Sequence, residues 1–428
     1  MVGELDKVAE ASIPYISESD PTCVGRKYSE VGQIPADWAV LRLSEVVEPN
    51  KSICYGIVQT GPNLQDGVPC IRVIDIVNGK IDKSNLIHTS EVISASYKRT
   101  ILKEGDLIVP LRGKVGEVGQ VNSDLVGANL TRGVALVSPN ADFDSTFVKY
   151  ALTNSEAKRR FTASMNGSAL QEITIDSLRN FQIGVPTRTE QTAIAKALSD
   201  MDALIESLEQ LITKKRNLKQ ATMQQLLTGQ TRLPQFALRE DGTPKGYKQS
   251  ELGEIPEDWE IFPLKEALSI RHGKSQKEVG SSDGDYPIMA SGGQIGWANK
   301  FLWNKPSVLI GRKGTIDNPS YIDVPFWTVD TLFYSDIKEA HHAKFIFFKF
   351  CMIDWAQYNE ASGVPSLSAR TIEKLLVALP LYEEQAEISE KLSEIEREID
   401  SLERRKMKCK QIKTGMMQEL LTGKTRLI

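Results

Sequence analysis

Leu226-Leu227-Thr228-Gly229-Gln230-Thr231-Arg232-Leu233 and Leu420-Leu421-Thr422-Gly423-Lys424-Thr425-Arg426-Leu427 are one phrase written twice. Working back from them, residues 186–233 align with 380–427 at a constant offset and without a gap, nearly half the positions being identical. Both copies run from a proline through Glu-Gln (Glu190-Gln191 and Glu384-Gln385) into a long helical pattern. A second duplicate stands ahead of each copy: Ile34-Pro35-Ala36-Asp37-Trp38 and Ile255-Pro256-Glu257-Asp258-Trp259. Such a repeat decides the architecture before any single residue does. The order is globular segment, helix, globular segment, helix. That implies a pseudo-twofold object suited to a target with two parts.

The long segments carry apolar residues in steps of four and three, at Ile194, Leu198, Met201, Ile205 and Leu208, with Ile212 continuing the series. The second copy has Ile388, Leu392, Ile395, Ile399 and Leu402, and Cys409 falls on a later seam position. This is a heptad seam, and a helix exposing one needs a partner. Charge chooses the orientation. The first half of each helix is acidic (Asp200, Asp202, Glu206; Glu394, Glu396, Glu398, Asp400) and the second half basic (Lys215, Arg216, Lys219; Arg404, Arg405, Lys413). Parallel pairing would oppose like charges, whereas antiparallel pairing sets each acidic half against a basic one. Single surface pairs are worth only ~0–1 kcal/mol, but many of one sense select a direction.

A hydrophobic content of 41% and a charged content of 25% are those of an ordinary globular chain, and 428 residues suffice for two or three domains. Five cysteines form no CxxC pair, which favours reduced thiols and a cytoplasmic setting. The acidic N-terminus lacks the apolar stretch of a secretory signal, and no run is long and apolar enough to suggest a membrane span. A net charge of −4 gives no global nucleic-acid signature, so DNA contact would have to rest on local charge. Both globular segments mix short β-rich runs with a helix, at 147–161 and 343–359, so the expected class is α+β.

The duplicated lead-ins and helix ends occur together with Gly105-Asp106-Leu107-Ile108-Val109-Pro110-Leu111-Arg112-Gly113, Gly311-Arg312-Lys313-Gly314-Thr315 and Pro325-Phe326-Trp327. In this order the set resembles the specificity (S) subunits of type I restriction–modification enzymes, over nearly the whole chain. The resemblance implies two target-recognition domains in tandem, each followed by a long helix, with the helices forming an antiparallel coiled coil. It implies recognition domains at 28–186 and 247–380 and spacer helices at 187–233 and 381–428, while composition marks 1–27 as a polar segment and the Pro/Gly/charge-rich 234–246 as a linker. It further implies a non-catalytic subunit without cofactor that reads a bipartite, asymmetric double-stranded DNA site. Two adenine methyltransferase subunits and two restriction–translocase subunits would assemble on it, away from any membrane. The Gly-Ser-x-Gln element of the family survives in part as Gly167-Ser168-Ala169-Leu170-Gln171, but Gly363-Val364-Pro365-Ser366 replaces it in the second half.

Base readout needs Arg, Lys, Asn, Gln, Ser or Thr on exposed loops, and backbone contacts need Lys, Arg or glycine-rich turns. In the first half the candidates are Tyr55, Gln59, Arg72, Lys98, Arg99, Arg112 and Lys114. In the second they are Arg271, Lys274, Gln276 and Lys277 in one basic loop, then Ser291, Arg312 and Lys313. Catalytic motifs read as decoys. Asn318-Pro319-Ser320-Tyr321 lacks the second proline of the adenine-methyltransferase motif, and the Gly105–Lys114 stretch holds no GxxxxGK[ST]. His341-His342 without a nearby carboxylate or cysteine trio reads as a helix start, not a metal site, and Trp38 and Trp259 read as core anchors. The competing reading is a non-catalytic coiled-coil adaptor with two protein-binding domains, which explains the rod and the acidic balance but not the loops. A methyltransferase with its own active site is a weaker alternative.

Overall fold

Trp38 and Trp259 set the starting point of each globular segment. In this computed structural model, which describes residues 25–164 and 172–427, they are 1% and 0% exposed, as core anchors. Each follows a hairpin, Arg26–Ser29 with Gly32–Pro35 or Tyr247–Ser250 with Gly253–Pro256. The chain divides into two units, one running to Ser207 and resuming at Lys406, the other spanning Leu208–Arg405. Gly167–Gln171 and the segment before residue 25 lie outside the described residues.

Both units follow one plan. In the first, Ala39–Arg42 pairs antiparallel with Gln182–Val185, so the strand that opens the domain lies beside the one that leaves it for the long helix. A four-stranded antiparallel sheet has the order Gly119–Gln120, Leu107–Pro110, Val134–Val137, Cys54–Tyr55. A mixed three-stranded sheet joins Asn129–Leu130, Val68–Ile71 and Ile87–Thr89. Leu107–Pro110 and Val134–Val137 are buried throughout, which is why they read as unbroken apolar runs and not as alternation. The second unit pairs Glu260–Pro263 with Leu376–Leu379. Its four-stranded sheet orders Leu268–His272, Leu332–Ile337, Ser307–Gly311, Ser320–Ile322, and its mixed sheet holds Gly293–Ala298, Tyr286–Ala290 and Trp327–Thr328.

The helix expected over 147–161 is two helices, Ser145–Thr153 and Ser155–Ala163, because Asn154 turns extended and accepts from the Ala157 N–H as a cap. The helix expected over 343–359 stops at Met352, and Asp354 caps a separate 3-10 turn, Trp355–Tyr358. In both places a short polar side chain offers the backbone an alternative to continuing the helix. Arg271 and His272, expected in a loop, end the strand Leu268–His272.

The long helices are Arg188–Thr228 and Tyr382–Leu420, with 41 and 39 residues, each about 60 Å long. In the first unit Asp202 pairs with Lys413 at 2.7 Å. In the second, Lys219 pairs with Glu396 at 2.7 Å, beside Lys215 with Glu398 and Arg216 with Glu403. Higher numbers on one helix meet lower numbers on the other, so in both units the helices pair antiparallel. Ile194, Leu198, Ile205, Leu208, Ile388, Leu392, Ile399 and Cys409 are buried, while Met201, Ile395 and Leu402 are half-buried. Ile194 and Leu198 join Trp38, Phe147, Phe161 and Leu420 in one core; Leu226, Leu227, Ile388 and Leu392 join Phe345 and Trp355 in the other. Each helix base is therefore part of a domain core. In both units a lysine of the helix pair also covers an aromatic ring, Lys413 over Tyr150 at 5.3 Å and Lys219 over Phe348 at 5.7 Å.

The duplicated helix ends meet the duplicated lead-ins. Within the first unit Arg426 donates to Glu190 at 2.7 Å and to Asp37 at 2.9 Å. Within the second, Arg232 donates to Glu384 at 2.6 Å and to Asp258 at 2.8 Å. Gln191 and Gln385 accept from the N–H of Asp144 and of His342, each at 2.9 Å, and so hold the residue that starts each domain helix.

One lysine of the second unit has a titration consequence. Lys349 donates to the Leu227 carbonyl at 3.1 Å, at the end of the first long helix, where a cation complements the helix dipole. Burial pushes its ammonium down to about 8. The unfolded chain then holds the proton more tightly than the folded one, so stability rises as pH climbs from about 8 towards the ordinary lysine value. The side chain as a whole is half-buried, and solvent screening limits the effect to about 1–3 kcal/mol. Urea titrations across this range should show that rise in the wild type and not in Lys349→Met. Equal slopes would refute the assignment.

Candidate nucleic-acid interface

In each unit the inner strands of the four-stranded sheet meet the loops at the same end, and basic residues follow the first of them. In the first unit Val134 pairs with Pro110 and Ala135 with Tyr55. Tyr55, Arg112 and Arg132 therefore emerge together. Main-chain bonds fix the turn: Leu111 N–H to Gly133 O at 2.9 Å, Ile173 N–H to Leu111 O at 2.8 Å, and Arg132 N–H to Ile57 O at 2.8 Å. Arg112 lies opposite Glu172 in an isolated antiparallel bridge. A cavity of about 630 Å³ opens here, lined among others by Tyr55, Val58, Arg112, Arg132, Glu172 and Thr174. Among the described residues neither guanidinium has a hydrogen-bond or ion-pair partner.

The other first-half candidates divide. Lys98 and Arg99 are exposed on a turn packed against Cys54–Tyr55, and Gln59 is exposed nearby. Arg72 is not available: it grips Asp75 with Nη2 at 2.8 Å and Nε at 3.1 Å, and donates to Asn85 O at 2.7 Å. Lys114 is tied back to the carbonyls of Ile74 and Ile76. Both hold the loop that carries Val73.

In the second unit His272 pairs with Phe333 and Gly311 with Leu332, so Arg312 and Lys313 emerge at the equivalent end. Arg312 N–H donates to Thr331 O at 2.9 Å, and Leu367 N–H to Arg312 O at 3.0 Å. Lys313 bridges to Ser366 as Arg112 does to Glu172. Lys313 is thus the structural counterpart of Arg112. The Lys274 N–H donates to Thr328 O at 2.8 Å, and Trp327 Nε1 to Lys274 O at 2.9 Å. Ser291 Oγ would lie 3.6 Å from a Cβ built at Gly314. Lys274, Ser291, Arg312 and Lys313 are therefore brought together around Thr328–Thr331. Arg312 donates to Asp330 O at 3.2 Å, and Arg271 is turned onto Asp336 at 3.0 Å. Gln276 is half-buried and Lys277 exposed in the following turn.

Arg132 is absent from the sequence candidates because no basic neighbour marks it. The signal that could have found it is Arg-Gly placed directly before the apolar run Val134–Val137, a mirror of Arg112-Gly113 after Leu107–Pro110. His342 caps the helix Ala343–Met352 and its Nδ1 lies 3.0 Å from Ser389 Oγ; burial pushes both His341 and His342 below the usual imidazole range. Among the described residues no group of His, Cys, Asp or Glu is arranged to hold a metal ion, and no helix is long and apolar enough to cross a membrane.

Comparison with known proteins places the chain in a family. The family model described as the type I restriction modification DNA specificity domain matches residues 35–215 and 256–411. The type I restriction enzyme MjaVIII specificity subunit of Methanocaldococcus jannaschii is 23% identical across 92% of this chain and 94% of its own length. The EcoBI specificity subunit of Escherichia coli is 28% identical across 46% of this chain; that match spans 42% of the relative. Among solved structures, the S subunit of a type I system from M. genitalium superposes with a TM-score of 0.59 at 16% identity, covering 90% of this chain and 96% of that one. A chain from a structural study of assembly and conformational transition in the type I system gives 0.53 at 17% identity, covering 92% and 99%.

Proposed function

The chain belongs to the type I restriction modification DNA specificity family, and on that premise we propose that each of its units reads one half of a bipartite double-stranded DNA site. The observation that carries this reading is the placement of Arg112 and Lys313. Both follow an inner strand of a four-stranded sheet and both bridge to the segment before the last domain helix. Neither side chain has a partner among the described residues. Cations so placed serve phosphate contact or base readout. Lys98 and Arg99, with Tyr55 and Gln59, extend the surface of the first unit, and Lys274, Ser291 and Arg312, with Gln276 and Lys277, extend that of the second.

The subunit performs no chemistry in this reading. Two adenine methyltransferase subunits and two restriction–translocase subunits act on the DNA it selects, in the cytoplasm. The recognition domains are 28–186 and 247–380, and the paired helices of 187–233 and 381–428 set the gap between half-sites. Arg112 with Glu172 in one unit and Lys313 with Ser366 in the other are unlike sets, so the two halves of the site differ in sequence. A net charge of −4 supplies no general attraction to a polyanion, so tight binding draws on the methyltransferase partners.

The test is single-molecule sequencing of cellular DNA with and without this gene. A methylated-adenine motif with two unlike halves around a fixed gap, lost on deletion, is the expected result. With the partner genes expressed, a methylome that does not change would favour the adaptor reading.

A further inference from the structure

We infer that the cavity at the sheet end of the first unit reads a G·C base pair, with Arg112 and Arg132 on the guanine edge and Glu172 on the cytosine. This rests on the DNA-recognition reading above and makes it specific.

Several other arginines of the unit are engaged with protein: Arg72 with Asp75, Arg159 with Glu156, Arg160 with Gln182 O, Arg179 with Ile53 O, while Arg99 is exposed outside the cavity. Arg112 and Arg132 have no such partner among the described residues, and they share one concave site. Two free guanidinium groups alone would suit a phosphate equally well. Glu172 decides between the two. A carboxylate directly across the bridge from Arg112 repels a phosphate but accepts from an amino group. The major-groove edge of G·C presents that combination side by side, with acceptors at guanine O6 and N7 and a donor at cytosine N4. Tyr55 and Val58 add apolar walls, and Thr174 a hydroxyl.

The second unit lacks the set. Main-chain bonds align Leu111 with Arg312, Gly133 with Thr331 and Ile173 with Leu367. The places of Arg112, Arg132 and Glu172 are then held by Lys313, Asp330 and Ser366. The G·C preference therefore belongs to one half-site only.

The experiment uses the full chain assembled with its methyltransferase partner, and measures binding to duplexes carrying the methylated motif and its single-base variants. Lys313→Ala identifies, by its altered preference, the half-site of the second unit; the other belongs to the first. Arg132→Ala is expected to lose about tenfold to a hundredfold at one G·C pair of the first half-site. 7-Deazaguanine at that position, which removes N7, should reproduce much of the loss in the wild type and add little to it in the variant. Arg132→Lys keeps the charge but not the bidentate fork, and should retain non-specific affinity while losing discrimination at that pair. A first half-site without any G·C pair would overturn the inference while leaving DNA recognition intact. So would an Arg132→Ala loss that is uniform over all sequences with a shallower salt dependence. A failure to find any bipartite motif would remove the DNA reading itself.

Discussion

Arg232→Ala is expected to lower the stability of the second unit by about 3–5 kcal/mol, the cost of leaving a buried carboxylate without its partner. The Arg232 side chain is 6% exposed and that of Glu384 is 4% exposed. With the guanidinium gone, Glu384 keeps, among the described residues, a long contact from Trp259 Nε1 at 3.4 Å. Asp258 loses Arg232 as well but retains Lys245 at 2.8 Å and is partly solvated, so most of the cost falls on Glu384. Arg426→Ala should act likewise in the first unit, where Glu190 is fully buried. Lysine at either place should recover only part, since a point charge cannot bond both carboxylates in the fork geometry of arginine. Urea denaturation of the single variants checks this. A loss below about 1 kcal/mol would place the pair with ordinary surface bridges.

Gly423→Ala and Gly229→Ala are expected to cost about 2–4 kcal/mol each, from left-handed backbone strain together with overpacking. Both glycines end a long helix with positive φ, 63° and 75°. A Cβ at Gly423 would lie 2.4 Å from Pro35 Cγ and 3.0 Å from the Trp38 ring; at Gly229 it would lie 2.5 Å from two carbons of Pro256. Gly415→Ala is the control of opposite sign. That glycine is inside the second helix, and outside its own helix backbone no atom of the described residues lies within 4 Å of its would-be Cβ, so alanine there should stabilise by up to about 1 kcal/mol. If all three variants moved thermal stability alike, close packing at the helix ends would not be the cause.

Much of the fold was legible because it depends on regularities within one segment. The helix seams follow from spacing alone, and the charge polarity chose antiparallel pairing that Asp202–Lys413 and Lys219–Glu396 now display. Burial of Trp38 and Trp259 likewise follows from their type and context. The breaks at Asn154 and Asp354 were less legible. Each turns on one capping side chain set against a strong apolar pattern.

The interface was legible as residue types in the right loops, but not as a set. Arg72, Lys114 and Arg271 look as free in the sequence as Arg112 and Lys313, yet the first three are engaged with Asp75, backbone carbonyls and Asp336. Arg132 left no cluster to notice.

The sequence by itself determined that this protein has two like halves, two long helices and an antiparallel pairing, because repetition, period and charge act along the chain. Only the tertiary structure decided what each duplicated motif is for. Arg426 and Glu190 are 236 residues apart, and no local pattern says that they meet. Their pairing depends on the antiparallel helices, which return the end of the second to the start of the first, and which cations stay free depends on which loops the sheets bring together, because an ion pair needs two charges held within contact distance.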